Sequence, residues 1–195
     1  MKDLQNILKF TKLLNKFRQI ERVIRSNGGD RLENDVEHSY QLTMLAWYII
    51  STQKLDLNLD LVIKYSLVHD LVEIYAGDTY AHTTDRELKK SKIKREEDSL
   101  IKLESEFKEF PEIFELIKQY ESKSDLEAKF IYALDKIEPI LNIYTSSRKT
   151  WKEKNISIDM IIDIKKDKVK FDPEVEKLFY KIIETLKEEE KDLFN

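Results

Sequence analysis

The chain has 195 residues, 41% of them hydrophobic and 37% charged, with a net charge of -4; that length suits one domain with a sizeable core, and the acidic balance disfavours a general nucleic-acid binder, which carries a basic excess. It has no cysteine, which removes disulfides, thiolate metal sites and a cysteine nucleophile together. No stretch approaches the roughly 20 apolar residues of a membrane span, and MKDLQNILKF holds no signal-like apolar run, so a soluble, cytoplasmic protein without membrane contacts is expected.

Three Gly and three Pro favour long helices over a turn-rich β architecture, and the expected fold class is all-α. Leu4, Ile7, Leu8, Leu13, Leu14, Phe17, Ile20 and Ile24 form a helical stripe, so residues 4–25 are expected as a first helix, ended by SNGGD. After a polar loop, a second helix should run from near Val36 to Thr52, with His38 near its start. A third is expected from Leu59 to Ala76, stopped by Gly77, with Asp78 and His82 in the following loop. Asp85 is a plausible N-cap for a charged helix to Phe107 with a seam of Ile93, Leu100, Leu103 and Phe107, and with Lys92 and Lys94–Asp98 on a solvated face. Pro111 suits the first turn of a helix to Tyr120. Ser124 is expected to cap a helix to Tyr144 that carries Asp135 among apolar residues. Pro139 should bend or loosen that helix, because it lacks the N–H for the Asp135 carbonyl. Trp151 should pack back from a polar loop, and helices over 156–166 and 173–190 close the chain.

The stretch LVHDLVEIYAGDT, residues 67–79, holds most of the chemistry. On a helix, His69 and Glu73 share a face, and Asp70 lies about 100° round from His69. Burying these groups without partners would cost several kcal/mol, and a divalent transition ion would offset that cost. A lone His-Asp pair is usually a solvated pair, so the other segments decide. His38, His69, Asp70 and Asp135 come from three expected helices and each lies near an apolar face.

The order H…HD…D resembles the HD-domain superfamily of metal-dependent phosphohydrolases. Three segments sharpen the likeness. RLENDVEHS (31–39), HDLVEIYAGD (69–78) and SDLEAKFIYALDKIE (124–138) are similar to the motif segments of its 5′-deoxynucleotidase group. The resemblance implies a single HD-domain helical bundle over 1–195, its core about 17–145 and helices 156–190 packed on it. It implies one divalent transition ion (Mn, Co, Fe, Ni or Zn) held by His38, His69, Asp70 and Asp135. Glu73 and Asp78 would handle acid and water, and Arg22 and Arg31 would reach the substrate, a small nucleotide. Where the group has a tryptophan beside that first arginine, this chain has Val23. A homodimer is also implied. The expected reaction is release of phosphate from (deoxy)nucleoside 5′-monophosphates. The alternatives are a two-metal phosphodiesterase or oxygenase, which would draw on more histidines than the single His82 between the HD pair and Asp135, and a non-catalytic binding module.

Overall fold

A computed structural model of the chain describes residues 2–26, 29–146 and 148–194. Helix α1 spans Lys2–Phe17, and a two-stranded antiparallel ribbon follows, β1 (Glu21–Arg25) and β2 (Leu32–Asn34), with Glu21 opposite Asn34 and Arg25 opposite Leu32. The first helix therefore stops eight residues earlier than its stripe suggested. Tight bonds from Gln19 to Lys16 and from Ile20 to Phe17 close it. The β-branched Val23 and Ile24 then find a partner strand in Leu32–Asn34, and this non-local pairing overrides the helical pattern.

Helix α2 (Asp35–Gln53) starts on a capping box: the Asn34 side chain accepts from the Val36 and Glu37 amides, and Glu37 bonds back to the Asn34 amide. Helix α3 (Leu59–Val68) is capped by Asn58. The expected helix to Ala76 is interrupted after Val68 and resumes as the short α4 (Glu73–Ala76). Between them, Leu71, Glu73 and Ile74 donate to carbonyls three residues back, a tightened turn that alters the direction in which His69, Asp70 and Glu73 face. Gly77, at φ +74°, ends α4 in a conformation that side-chain-bearing residues rarely adopt.

Helix α5 (Arg86–Glu106) has the expected Asp85 cap. Its Ile93 is exposed rather than in the seam, and Lys92, Arg95 and Glu96 are half-buried rather than solvated. Helix α6 spans Pro111–Ser122. Helix α7 (Leu126–Thr145) is capped by Asp125, not Ser124, and passes through Pro139 without a break. Helices α8 (Thr150–Glu153), α9 (Ile158–Val169), α10 (Pro173–Glu188) and α11 (Glu190–Leu193) complete the chain. No helix among the described residues is long and apolar enough to cross a membrane.

Helix α7 is the centre of the larger core. Its Phe130, Ile131, Leu134 and Ile137 are fully buried and pack with Leu42 and Ala46 of α2, Val62 and Tyr65 of α3, Ile161 of α9 and Phe179 of α10. A second apolar cluster joins α1, the 68–74 turn, α5 and α6 through Leu13, Phe17, Leu71, Leu103 and Phe114. The polar residues of the site lie where α2, the end of α3 and α7 meet. Trp151 is buried, as expected, and stacks on Phe194 at 4.9 Å.

Candidate metal centre and its cavity

Three segments far apart in sequence bring four donor atoms together. His38 comes from the first turn of α2, His69 from the C-cap of α3, Asp70 from the tightened turn and Asp135 from the middle of α7. His38 Nε2 lies 3.0 Å from Asp135 Oδ1 and 3.8 Å from Asp70 Oδ2. His69 Nε2 lies 3.0 Å from Asp70 Oδ2 and 3.9 Å from Asp135 Oδ1. Donors each about 2.1 Å from one ion stand about 3 Å apart at right angles and about 4 Å apart when opposite. These four separations fall in that range; His38, His69 and Asp135 each place a donor atom within 4.8 Å of the other two, while Asp70 forms a second such set with Asp35 and Glu73.

The surroundings orient both imidazoles. His69 Nδ1 donates to the Ser66 carbonyl at 2.9 Å, which leaves Nε2 a lone pair; that buried Nε2 makes no hydrogen bond. His38 Nδ1 lies 2.9 Å from Glu138 Oε2, a carboxylate–imidazole pair of the kind that backs metal ligands. Burial opposes ionisation of Asp70, but His69 and Arg22 hold it well below the usual carboxylate range. Asp135 is likewise held far down against its burial, by Lys136 and His38. Burial and Arg22 pull His38 down, yet its bonds to Asp135 and Glu138 prevail and leave it at about 10. The cluster is thus built to keep a positive charge at its centre. Two imidazoles, two carboxylates held ionised and an orphaned buried nitrogen form a donor set that suits a divalent transition ion, whose charge would take the place of the proton on His38.

Around this centre, Glu73 is almost fully buried, with its Oε2 unpartnered. Burial and the charges of Asp70, Asp35 and Asp78 push its carboxyl well above the usual range. Burial also raises Asp78, against the pull of Arg22. Arg22, on β1, donates from Nη1 to Asp70 Oδ2 at 2.9 Å and to Asp35 Oδ1 at 3.2 Å. Glu73, Asp70, Asp78 and Arg22, but not Asp35, line a cavity of about 470 Å³ together with Asp135. The cavity has one apolar wall, including Ile140, Ile143, Trp151 and Ile156, and a cationic one, including Lys89, Lys92, Lys165 and Lys168.

Arg31 does not reach this cavity. It is more than half exposed and grips Glu37 through two bonds of 2.7 and 2.8 Å, so it secures the cap of α2. The sequence reading also passed over several residues that matter here. Glu138 was visible as a carboxylate three residues beyond Asp135, and Asp35 lies inside the RLENDVEHS segment. Lys92, 4.0 Å from Glu73, carried no signal beyond its charge.

A family model described as HD domain matches residues 14–177. The chain belongs to the HD domain family. Among curated proteins, this HD domain chain is 31% identical to the 5′-deoxynucleotidase HDDC2 of Bos taurus over 142 residues, 70% of this chain and 66% of that protein. It is 30% identical to the protein of the same name from Dictyostelium discoideum over 149 residues, 72% of this chain and 77% of that one. The chain therefore spans just under two thirds of the cattle relative. A crystal structure described as a predicted metal-dependent phosphohydrolase from Magnetospirillum magnetotacticum superposes with a TM-score of 0.78 at 23% identity, over 93% of this chain and 91% of that one, a likeness of fold.

Proposed function

We propose that this HD domain protein is a phosphoric monoester hydrolase that releases phosphate from (deoxy)nucleoside 5′-monophosphates. The observation that carries this reading is the convergence of His38, His69, Asp70 and Asp135, of which Asp70 and Asp135 line a cavity together with Arg22, Glu73 and Asp78. The names of the relatives support it. A divalent ion held by the four donors would polarise the phosphoryl oxygen and lower the pKa of a water.

The chain's own residues supply the rest. Arg22 offers a planar donor fork from the cavity wall to phosphate oxygens. Asp78 takes the proton of the attacking water. As the water oxygen bonds to phosphorus and the bond to the 5′ oxygen breaks, that oxygen needs a proton. Glu73 is the group suited to give it, because burial and three carboxylates raise its hold on a proton. The products are a nucleoside and inorganic phosphate. The apolar wall gives the base a surface to lie against, and Val23 is the residue of this chain beside Arg22 in the cavity.

One feature favours a single ion over two. Asp35, Asp70 and Glu73 offer a second convergent acid set. The Arg22 guanidinium already stands between Asp35 and Asp70, where it supplies the charge a second ion would bring. Metal content per chain, measured beside phosphate release from a panel of ribo- and deoxynucleoside monophosphates, tests the proposal. One ion per chain and release from a deoxynucleotide are expected. No release with the ion bound would overturn it.

A dimer accords with a stripe of exposed apolar residues on α2, Tyr40, Met44, Trp47 and Tyr48, at helical spacing. Light scattering that gave a single-chain mass would refute the pairing.

A further inference from the structure

Six cations line the cavity, Arg22, Lys89, Lys92, Lys136, Lys165 and Lys168, against four carboxylates, Asp70, Glu73, Asp78 and Asp135. Three of the six are committed. Arg22 pairs with Asp70 and Asp35, Lys136 with Asp135, and Lys92 with Glu96 at 3.3 Å. Among the described residues the other three make no ion pair: Lys89 from α5, and Lys165 and Lys168 from α9. Lys165 is only 8% exposed, and its ammonium donates to the Lys136 carbonyl.

Lys168 feels the charge of Lys89, and Lys165 that of Lys168. Burial, then Lys136 and Lys168, bring the Lys165 amine down to about 7. Lys168 is lowered by burial and by Lys136, Lys92 and Lys89. His82, in the loop beside them, is pushed down to about 4 by burial and by Lys165, Lys89 and Lys168, and its buried Nδ1 has no partner. Like charges gathered without a counter-ion are unfavourable. Here two separate helices hold them against a cavity, in a chain whose net charge is -4.

We propose that Lys89, Lys165 and Lys168 receive a second phosphate group, so that the preferred substrate is a nucleotide carrying another phosphate besides the one cleaved. This rests on the hydrolase reading above. The pairing supports it: Arg22 donates to Asp70 beside the donors of the proposed ion, whereas the three lysines line the same cavity without an ion pair among the described residues. Lysine is suited to the role as a point charge with three donors.

The second phosphate can sit on the 3′ oxygen or extend the 5′ chain, and the experiment separates the two. The values of kcat/KM are compared for a deoxynucleoside 5′-monophosphate, its 3′,5′-bisphosphate and its 5′-diphosphate. One of the doubly phosphorylated forms should exceed the monophosphate by about tenfold or more, as charge-assisted contacts of this kind allow. In Lys165→Met/Lys168→Met the ratio should fall to near one. A monophosphate that equals or exceeds both forms overturns the proposal. If the double variant does not fold, Lys168→Met, which removes a half-exposed cation, carries the same comparison. If no nucleotide is hydrolysed, the hydrolase reading fails by itself. Equilibrium binding of the same three nucleotides then decides: a preference for two phosphates that Lys168→Met abolishes sustains the lysine site, and equal binding ends it.

Discussion

The two histidines of the metal centre are held by different means, and this gives their supports different weight. His69 leans on a backbone carbonyl, whereas His38 leans on the Glu138 carboxylate. Glu138→Gln keeps a hydrogen-bond acceptor but removes the charge. It should weaken metal affinity about 10- to 100-fold, as loss of such supports does, and a metal-buffer titration measures it; unchanged affinity would deny Glu138 this role. Lys165 gives a second test. Its folded value of about 7 lies below the ordinary 10.5, so between those values the unfolded chain binds more protons than the folded one. The cost of holding it charged among Lys136, Lys168 and Arg22, with only Asp135 to oppose them, is full below pH 7 and fades toward 10.5. Lys165→Met should therefore raise Tm most at or below neutral pH, and the gain should vanish as pH approaches 10.5. A gain that grew with pH would contradict the sign. The candidate ligands His38, His69, Asp70 and Asp135 were legible as a set because they lie in distinctive segments, and the fold brings them together. Lys165 and Lys168 were not, because a lysine facing a cavity and a lysine facing water look alike in sequence.

At the scale of elements, the start of α2 sets where His38 stands. Asn34 caps the helix, Glu37 closes the box, and Arg31 clamps Glu37 from outside. Asn34→Ala should cost about 1 kcal/mol, the usual loss for such a cap, and thermal unfolding of the variant reads it directly; a smaller change would show that Arg31 and Glu37 hold the turn alone. Helix positions were largely readable from apolar spacing. Two departures have non-local causes. Val23 and Ile24 sit in a locally helical pattern and become strand only because Leu32–Asn34 is there to pair with. The turn after Val68 holds no Gly or Pro, and its Leu71, Val72 and Ile74 continue the apolar pattern, so nothing local marks the break. Pro139 lies inside α7 without ending it and lines the cavity.

Across the whole molecule, the metal centre joins α2, α3 and α7, helices whose shared core residues include Leu42, Tyr65 and Leu134. An ion bound only by the folded state adds about 4 kcal/mol when present at about a thousand times its Kd. Chelation should then lower Tm by about 10 °C for a chain of this size, and calorimetry with and without a chelator checks it. An unmoved Tm would mean that the four donors hold no ion. Conversely, Asp70→Asn should remove most of that shift while leaving the metal-free protein folded, because Arg22 keeps Asp35 as a partner.

The chain contains two tryptophans, and the fold has put them in opposite places. Trp151 is buried, lies against Phe194 and forms part of the cavity wall, whereas Trp47 is half exposed on the apolar stripe of α2. The protein therefore carries two intrinsic optical reporters of separate events. If copies pair through that stripe as proposed, Trp47 emission should move to shorter wavelength as protein concentration rises, and iodide should quench it in the dilute state. Trp151 should ignore concentration and iodide alike and respond to a nucleotide entering the cavity. With Trp47→Phe the remaining signal becomes a single-site reading of cavity occupancy, one that needs neither turnover nor a labelled ligand.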